Sequence, residues 1–440
     1  MSTAKTAPAE LPRALGLFDA ASIVVGIVIG AGIFLVPRLI AQALPSPPMI
    51  LGVWITSGVL CFFGGLAYAE MGALMPETGG HYVYLRECYG PLAGFLCGWT
   101  FTLVVLSAAM AWLAMSFAIT LGYFLPLGAL SSKLIALALI VTLSAVNYRG
   151  IRLGARVQNL LTVLKVLGLA IVAGSAFLPG RGAAAADWSI SRAGLSWTAV
   201  GVAMVPVVLC YDGWPSVSNV AGEIRNPKRN IPLSLAMGLA AVIVIYMLAN
   251  TAYLRVLPVT LIAVTDRAGA ALAERTLGRA GGTILSLTIL LSIAGAINGF
   301  IITAPRLCFA MARDGLMFRR FAAIHPRHQT LSFGIAAQAI WTALLVLTGT
   351  FETLVPYAMI AAWFFYGLAV AGVVILRRKY PDRPRPYRMW GYPLTPWLFT
   401  AVAAWFVANT WITQPWPSTV AFLIVLSGVP VYFLWRRRRA

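Results

Sequence analysis

The chemistry this sequence offers lies in interrupted backbone more than in reactive side chains. Gly26-Ile-Val-Ile-Gly-Ala-Gly-Ile-Phe34 puts three glycines in the middle of an apolar run from about Leu17 to Ala43. Each glycine weakens a helix by roughly 1 kcal/mol relative to alanine. Backbone that leaves a helix inside a bilayer needs partners, and lipid offers none. A ligand carboxylate is one such partner, because N–H groups opening a second half-helix can donate to it. Close approach of a neighbouring helix is the other reading of the same glycines.

A second interrupted run reads Val205-Pro-Val-Val-Leu-Cys-Tyr-Asp-Gly-Trp-Pro215. Pro206 and Pro215 each remove a backbone donor, and Gly213 loosens the turn between them. Asp212 is a carboxylate at membrane depth, a functional candidate by default. It could pair with a cationic group, or cap the broken helix. Lys165 lies inside another apolar run, Leu160-Leu-Thr-Val-Leu-Lys-Val-Leu-Gly168. Its long stem permits snorkelling, but the apolar residues on both sides favour burial. A buried ammonium there could hydrogen-bond carbonyls freed by a broken helix, in a place that would otherwise suit a coupling cation.

These features must be positioned by membrane helices. The chain has 440 residues, of which 60% are apolar and 10% charged; a soluble protein carries about a quarter charged residues. Apolar runs of membrane length recur from end to end, so the expected class is an all-α integral membrane protein. Twelve spans are expected, near 17–43, 48–74, 91–124, 131–147, 158–178, 198–220, 232–256, 280–310, 331–349, 352–378, 391–412 and 417–435. Most of the 33 Lys and Arg fall in alternate connections, which places both termini in the cytoplasm. This pattern, rather than nucleic-acid binding, accounts for the net charge of +20. The first run is too long for a signal-peptide core and lacks a small-residue cleavage site. Cys61, Cys88, Cys97, Cys210 and Cys308 show no metal spacing or disulfide framework. No metal or cofactor is expected.

The two interrupted spans are the first and the sixth. They occupy corresponding positions in two five-helix halves, and an odd number of helices per half inverts the second relative to the first. That is the inverted-repeat pattern with its ligand site between the breaks. The expected division is a cytoplasmic tail over 1–16, a first repeat over 17–178, a second over 198–378, two added helices over 391–435 and a basic tail over 436–440. Arg436–Arg439 reads as a topology anchor or an anionic-lipid contact. The polar stretch Glu70–Gly90 reads as a short interfacial helix with Tyr82 and Tyr84 at headgroup depth. His81 within it is either a proton-coupling group or simply solvated.

Several motifs then resemble one family. Gly30-Ala-Gly-Ile-Phe34 is similar to the first-helix signature of amino acid–polyamine–organocation permeases. Glu70-Met-Gly with Gly79-Gly-His-Tyr-Val-Tyr-Leu85, Asn147-Tyr-Arg-Gly with Arg156-Val-Gln, and Tyr211-Asp-Gly-Trp with Asn226-Pro-Lys-Arg-Asn-Ile-Pro232 resemble its L-type amino acid transporter branch. So do Asn298-Gly-Phe and Arg306-Leu-Cys-Phe-Ala-Met-Ala-Arg-Asp-Gly315. The resemblance implies the LeuT-type fold of ten core helices in two inverted repeats plus two, and amino acid transport by alternating access. It implies that a substrate carboxylate meets N–H groups of Ala31, Gly32 and Ile33, near Gly30. The ammonium would meet carbonyls near Ile27, Leu209 and Cys210. Lys165 would bridge the first and eighth helices, implying sodium independence and exchange.

Side-chain selection is expected from Cys210, Asp212, Ile297 and Asn298, with Tyr357 on the tenth span as a further candidate; Gly213 is a further expected substrate-binding residue, and gating is expected from Leu209 and Trp214. Many members of that family carry an aromatic lid where Leu209 stands. The animal members are disulfide-linked to a glycoprotein through a loop that here, around Leu125–Lys133, has no cysteine, so no such heavy chain is expected. Mostly small or apolar selecting residues favour a neutral L-amino acid, with a cationic amino acid or polyamine as the alternative. A membrane-embedded enzyme lacks a polar catalytic constellation here, and a receptor or scaffold would not need two broken helices in register. The expected location is the cell's inner (plasma) membrane.

Overall fold

The computed structural model describes residues 10–179, 188, 197–265 and 267–437. The start of the expected N-terminal tail and Arg438–Ala440 lie outside the described residues. Apart from one isolated β-bridge between Leu15 and Ile224, regular structure among the described residues is helical. The helices are α1 (Leu17–Val28), α2 (Gly32–Leu35), α3 (Pro37–Ala43), α4 (Pro47–Leu74), α5 (His81–Tyr89), α6 (Pro91–Thr100), α7 (Leu106–Leu121), α8 (Ala129–Tyr148), α9 (Ile151–Ser175) and α10 (Trp197–Cys210). They continue with α11 (Pro227–Val256), α12 (Val259–Val264), α13 (Ala268–Leu277), α14 (Arg279–Thr303), α15 (Pro305–Arg313), α16 (Ser332–Thr348), α17 (Phe351–Lys379), α18 (Leu394–Thr413) and α19 (Pro415–Arg437). A π-helical turn, Phe101–Val105, joins α6 to α7, and a 3₁₀ segment, Trp214–Glu223, follows α10.

Proline sets many of the starts. Helices α3, α4, α6, α11, α15 and α19 all open on one, where its missing N–H would be unsatisfied anyway and its fixed φ suits the first turn.

Ten stretches among the described residues are long and apolar enough to cross a membrane, two short of the twelve expected. The two outside that set are α16 and α18. With 17 residues, α16 is about 26 Å long, less than a typical hydrocarbon core. In α18, tryptophans, threonines and Asn409 dilute the apolar residues. The chain is nonetheless an integral, multi-pass membrane protein by the ten stretches alone.

Helix α1 is the axis of the packing, set against α9, α11, α14 and the 3₁₀ segment. A Cβ at Gly26 would overlap the side-chain amide of Gln158 on α9. Gly26 therefore serves close helix approach, the plainer of the two readings.

Helix α5 corrects one expectation. His81, Tyr82 and Tyr84 are buried, so His81 is not solvated. Gly80, at φ +40°, turns the chain so that α5 packs inward against α17 and α6. The Tyr68 hydroxyl lies 3.0 Å from His81 Nδ1, and Nε2 has no partner among the described residues. Burial pushes the imidazole down to about 3, so His81 is neutral at physiological pH.

Polar contacts tie α15 and the N-terminal stretch to the end of the 3₁₀ segment. Arg306 on α15 donates two hydrogen bonds to Glu223, Nε to Oε1 at 2.8 Å and Nη2 to Oε2 at 3.0 Å. Both side chains are buried, and the two parallel bonds fix the geometry of the pair. Leu15 N donates to Glu223 O (2.9 Å) and Arg225 N to Leu15 O (2.8 Å), fastening the N-terminal stretch to the same point.

Candidate binding site at the two helix breaks

The first break lies where the glycines are densest. Helix α1 ends at Val28, Ile29 leaves helical geometry with ψ 84°, and Gly30 N turns back to Val28 O at 2.9 Å. Helix resumes at Gly32. Among the described residues the N–H groups of Ala31, Gly32 and Ile33 have no backbone acceptor.

The second break follows Cys210. Tyr211 N and Asp212 N reach back to Val208 O and Leu209 O, both at 3.2 Å, and Gly213 takes φ +103°. A side chain at Gly213 would be strained by that φ and would also strike Ile27. A Cβ at Gly32 would lie 2.7 Å from Cys210 Sγ. The breaks thus touch each other through two glycines, one on each side.

Lys165 is fully buried and its ammonium is fully matched. Nζ donates to Gly26 O at 2.8 Å, Ile29 O at 2.8 Å and Ser292 O at 2.9 Å, which uses the three donors a lysine has. Two acceptors belong to the α1 break and the third to α14. Ser292 Oγ reinforces the link, within 2.7 Å of Ile29 O and 3.0 Å of Gly30 O.

Sequence reading missed the clamp on the opposite side. The Tyr246 hydroxyl, on α11, lies 3.0 Å from Val28 O and 2.9 Å from Cys210 O. One phenolic proton is shared between the last carbonyls of two broken helices. Edge-on contacts with Trp54 and Tyr211, at 5.2 and 5.0 Å between centroids, hold the ring. A tyrosine inside the apolar run Ala241-Val-Ile-Val-Ile-Tyr-Met-Leu248 was the available signal, because a buried hydroxyl needs a partner.

Between the breaks lies a cavity of ≈330 Å³, a size typical of small-ligand sites. Ile27, Gly30, Ala31, Gly32, Leu209, Cys210, Asp212 and Gly213 line it. Trp112, Phe300 and Tyr366 close other sides; none was singled out from sequence. Asp212 lines the cavity together with Tyr366 and Gly213, and among the described residues no side chain caps the start of the 3₁₀ segment. Asp212 Oδ1 is buried with no partner among the described residues.

Other expected site residues stand elsewhere. Ile33 is wholly buried and does not line the cavity. Asn298 is bound into a polar network behind it. It accepts from Asn147 Nδ2 (2.7 Å) and donates to Gln158 Oε1 (2.8 Å) and Gly154 O (3.1 Å). Trp214 is buried against Tyr68, 5.0 Å between centroids, and likewise does not line the cavity. Ile297 and Tyr357 also lie outside it. All five cysteines are free thiols.

A bundle of apolar helices with two interrupted ones meeting at a small cavity defines a solute permease. The chain belongs to the amino acid permease family, whose model matches residues 15–435. It is 32% identical over 434 residues to the human b(0,+)-type amino acid transporter 1, covering 97% of this chain and 88% of that one. It is 31% identical over 436 residues to the serine/threonine exchanger SteT of Bacillus subtilis (strain 168), covering 98% of each. Against the human cystine/glutamate transporter identity is 31% over 434 residues, with 97% of this chain and 86% of that one covered.

Proposed function

We propose that this protein is a sodium-independent exchanger of neutral L-amino acids that works by alternating access. The observation that carries the reading is the contact of two helix breaks around one ≈330 Å³ cavity. The relatives named above, an amino acid transporter and a serine/threonine exchanger among them, support it. A zwitterion can be met there by neutral backbone groups, which limits the desolvation cost of binding two charges. The carboxylate sits at the N–H groups of Ala31, Gly32 and Ile33. The ammonium meets carbonyls near Ile27, Leu209 and Cys210. Leu209 is the lid on one side, where it packs but offers no ring to the ammonium.

In this reading Lys165 supplies a fixed positive charge at the α1 break, so no sodium ion is required. The helices form two inverted five-span repeats over 17–178 and 198–378, with α18 and α19 added and α16 completing twelve spans. Both termini face the cytoplasm from the plasma membrane, and no disulfide-linked partner is needed. For the cavity to open toward the end of the 3₁₀ segment, the Arg306–Glu223 pair and the Leu15–Ile224 bridge must separate.

A second reading rests on Asp212. Its unpartnered Oδ1 beside the cavity could accept from a cationic side chain, making the substrate a cationic amino acid or polyamine. Uptake of labelled amino acids into proteoliposomes decides between these. Saturable sodium-independent uptake of neutral substrates, accelerated by unlabelled substrate inside, is expected. Preference for cationic substrates selects the second reading. No saturable uptake of any amino acid rejects both, and uptake indifferent to preloading rejects exchange.

A further inference from the structure

We propose that the outer face of α16, with the arginines at its start, holds one anionic phospholipid from the surrounding bilayer. A cavity of ≈250 Å³ lies behind this face, walled by Trp99, Leu103, Phe318, Phe321 and Trp341. It shares none of its lining residues with the cavity at the helix breaks. Ala337 and Trp341 also line a shallow surface groove of ≈330 Å³ along α16, together with Phe333, Ala336, Ile340 and Leu344 of the same helix. Phe333 to Leu344 spans about 16 Å of helix, room for much of an acyl chain. Phe333, Ile340, Trp341 and Leu344 are exposed on this face.

The groove has a charged end. Phe321 meets Phe333 edge-on at 4.9 Å, which places the segment Arg319–Ala322 at the start of α16. Phe318 meets Trp435 edge-on at 4.8 Å, which brings the end of α19 to the same place. Arg319, Arg320, Arg436 and Arg437 are all exposed there. None of the four has an acidic partner among the described residues. Nearby Asp314 is already taken by Arg86 and Tyr82.

An apolar groove alone selects nothing in a bilayer, because lipid tails are as apolar as the groove. Selection must come from the head. Basic side chains near a membrane surface attract anionic headgroups by about 1 kcal/mol each, close to fivefold in retention. The groove gives that headgroup a tail position, and the arginines give the tail position a preferred lipid. A zwitterionic lipid offers the same tails with no net charge to answer four guanidinium groups.

The test is non-denaturing mass spectrometry of the purified full chain incubated with dioleoylphosphatidylglycerol or dioleoylphosphatidylcholine. Wild-type protein is expected to retain one phosphatidylglycerol in clear excess over phosphatidylcholine. Arg319→Gln, Arg320→Gln and Arg436→Gln are each expected to lower phosphatidylglycerol retention about fivefold without changing phosphatidylcholine retention. Ala337→Trp, which fills the groove at a residue that also lines the cavity, is expected to displace both lipids. Equal retention of the two lipids by the wild type overturns the proposal, whatever the variants do. So does phosphatidylglycerol retention that survives all three arginine substitutions in protein whose melting temperature is unchanged.

Discussion

Cys210 Sγ occupies the space a side chain on Gly32 would need, 2.7 Å from where its Cβ would stand. The contact fixes how near the two broken helices come. A carbon added at Gly32 meets the other break. Overpacking of this kind costs about 1–3 kcal/mol. Gly32→Ala is therefore expected to lower the melting temperature and reduce exchange by about tenfold or more. Removing the thiol should relieve it, since the next atom, Cys210 Cβ, is 3.4 Å away. Gly32→Ala with Cys210→Ala is expected to recover most of the loss in a double-mutant cycle. Purely additive losses would mean that the thiol contact is not the cause.

Lys165 answers three carbonyls from two helices with one ammonium. Lys165→Ala leaves those carbonyls without their charged donor, at about 1.5–3 kcal/mol for a hydrogen bond to a charged group. The expected outcome is a folded but less stable protein whose exchange falls more than tenfold. Exchange within twofold of wild type in proteoliposomes would refute the bridging role.

Asn298 gives the converse case. Its amide is committed to Asn147, Gly154 and Gln158, outside the cavity. Asn298→Ala is expected to lower stability by about 1–3 kcal/mol through unsatisfied buried partners. The ratio of neutral to cationic substrate uptake should stay as in wild type. A changed ratio would return Asn298 to the substrate site.

His81 predicts a pH dependence. In the folded chain its pKa is lowered from 6.5 to about 3 by burial, so the unfolded chain binds the proton more readily. Its contribution to stability is therefore fully present above about pH 6.5 and declines as the pH falls toward 3. Melting temperatures between pH 4 and 8 should decline on the acid side in wild type and less steeply in His81→Gln. Equal slopes would show that the acid sensitivity arises elsewhere. The same neutrality argues that exchange shows no inflection from His81 between pH 5 and 8.

Helix existence and the location of both breaks were legible in the sequence. Length, hydropathy, proline and glycine act locally, within one turn of the residues that carry them. The burial of Lys165 was legible for a related reason: an ammonium flanked by apolar residues on one helix has few places to go. What the breaks face was not. Gly26, Gly30 and Gly32 look alike in sequence, yet Gly26 receives α9 and Gly32 receives Cys210. Asn298 and Asp212 were equal candidates, and only the packing turns one into a network and sets the other beside the cavity. Tyr246 and Ser292 close onto the breaks from helices far away in the chain, and His81 is buried because its helix packs inward against α17 and α6. These are matters of which side chain crosses which interface, and that depends on how helices distant in sequence cross, which no local pattern encodes.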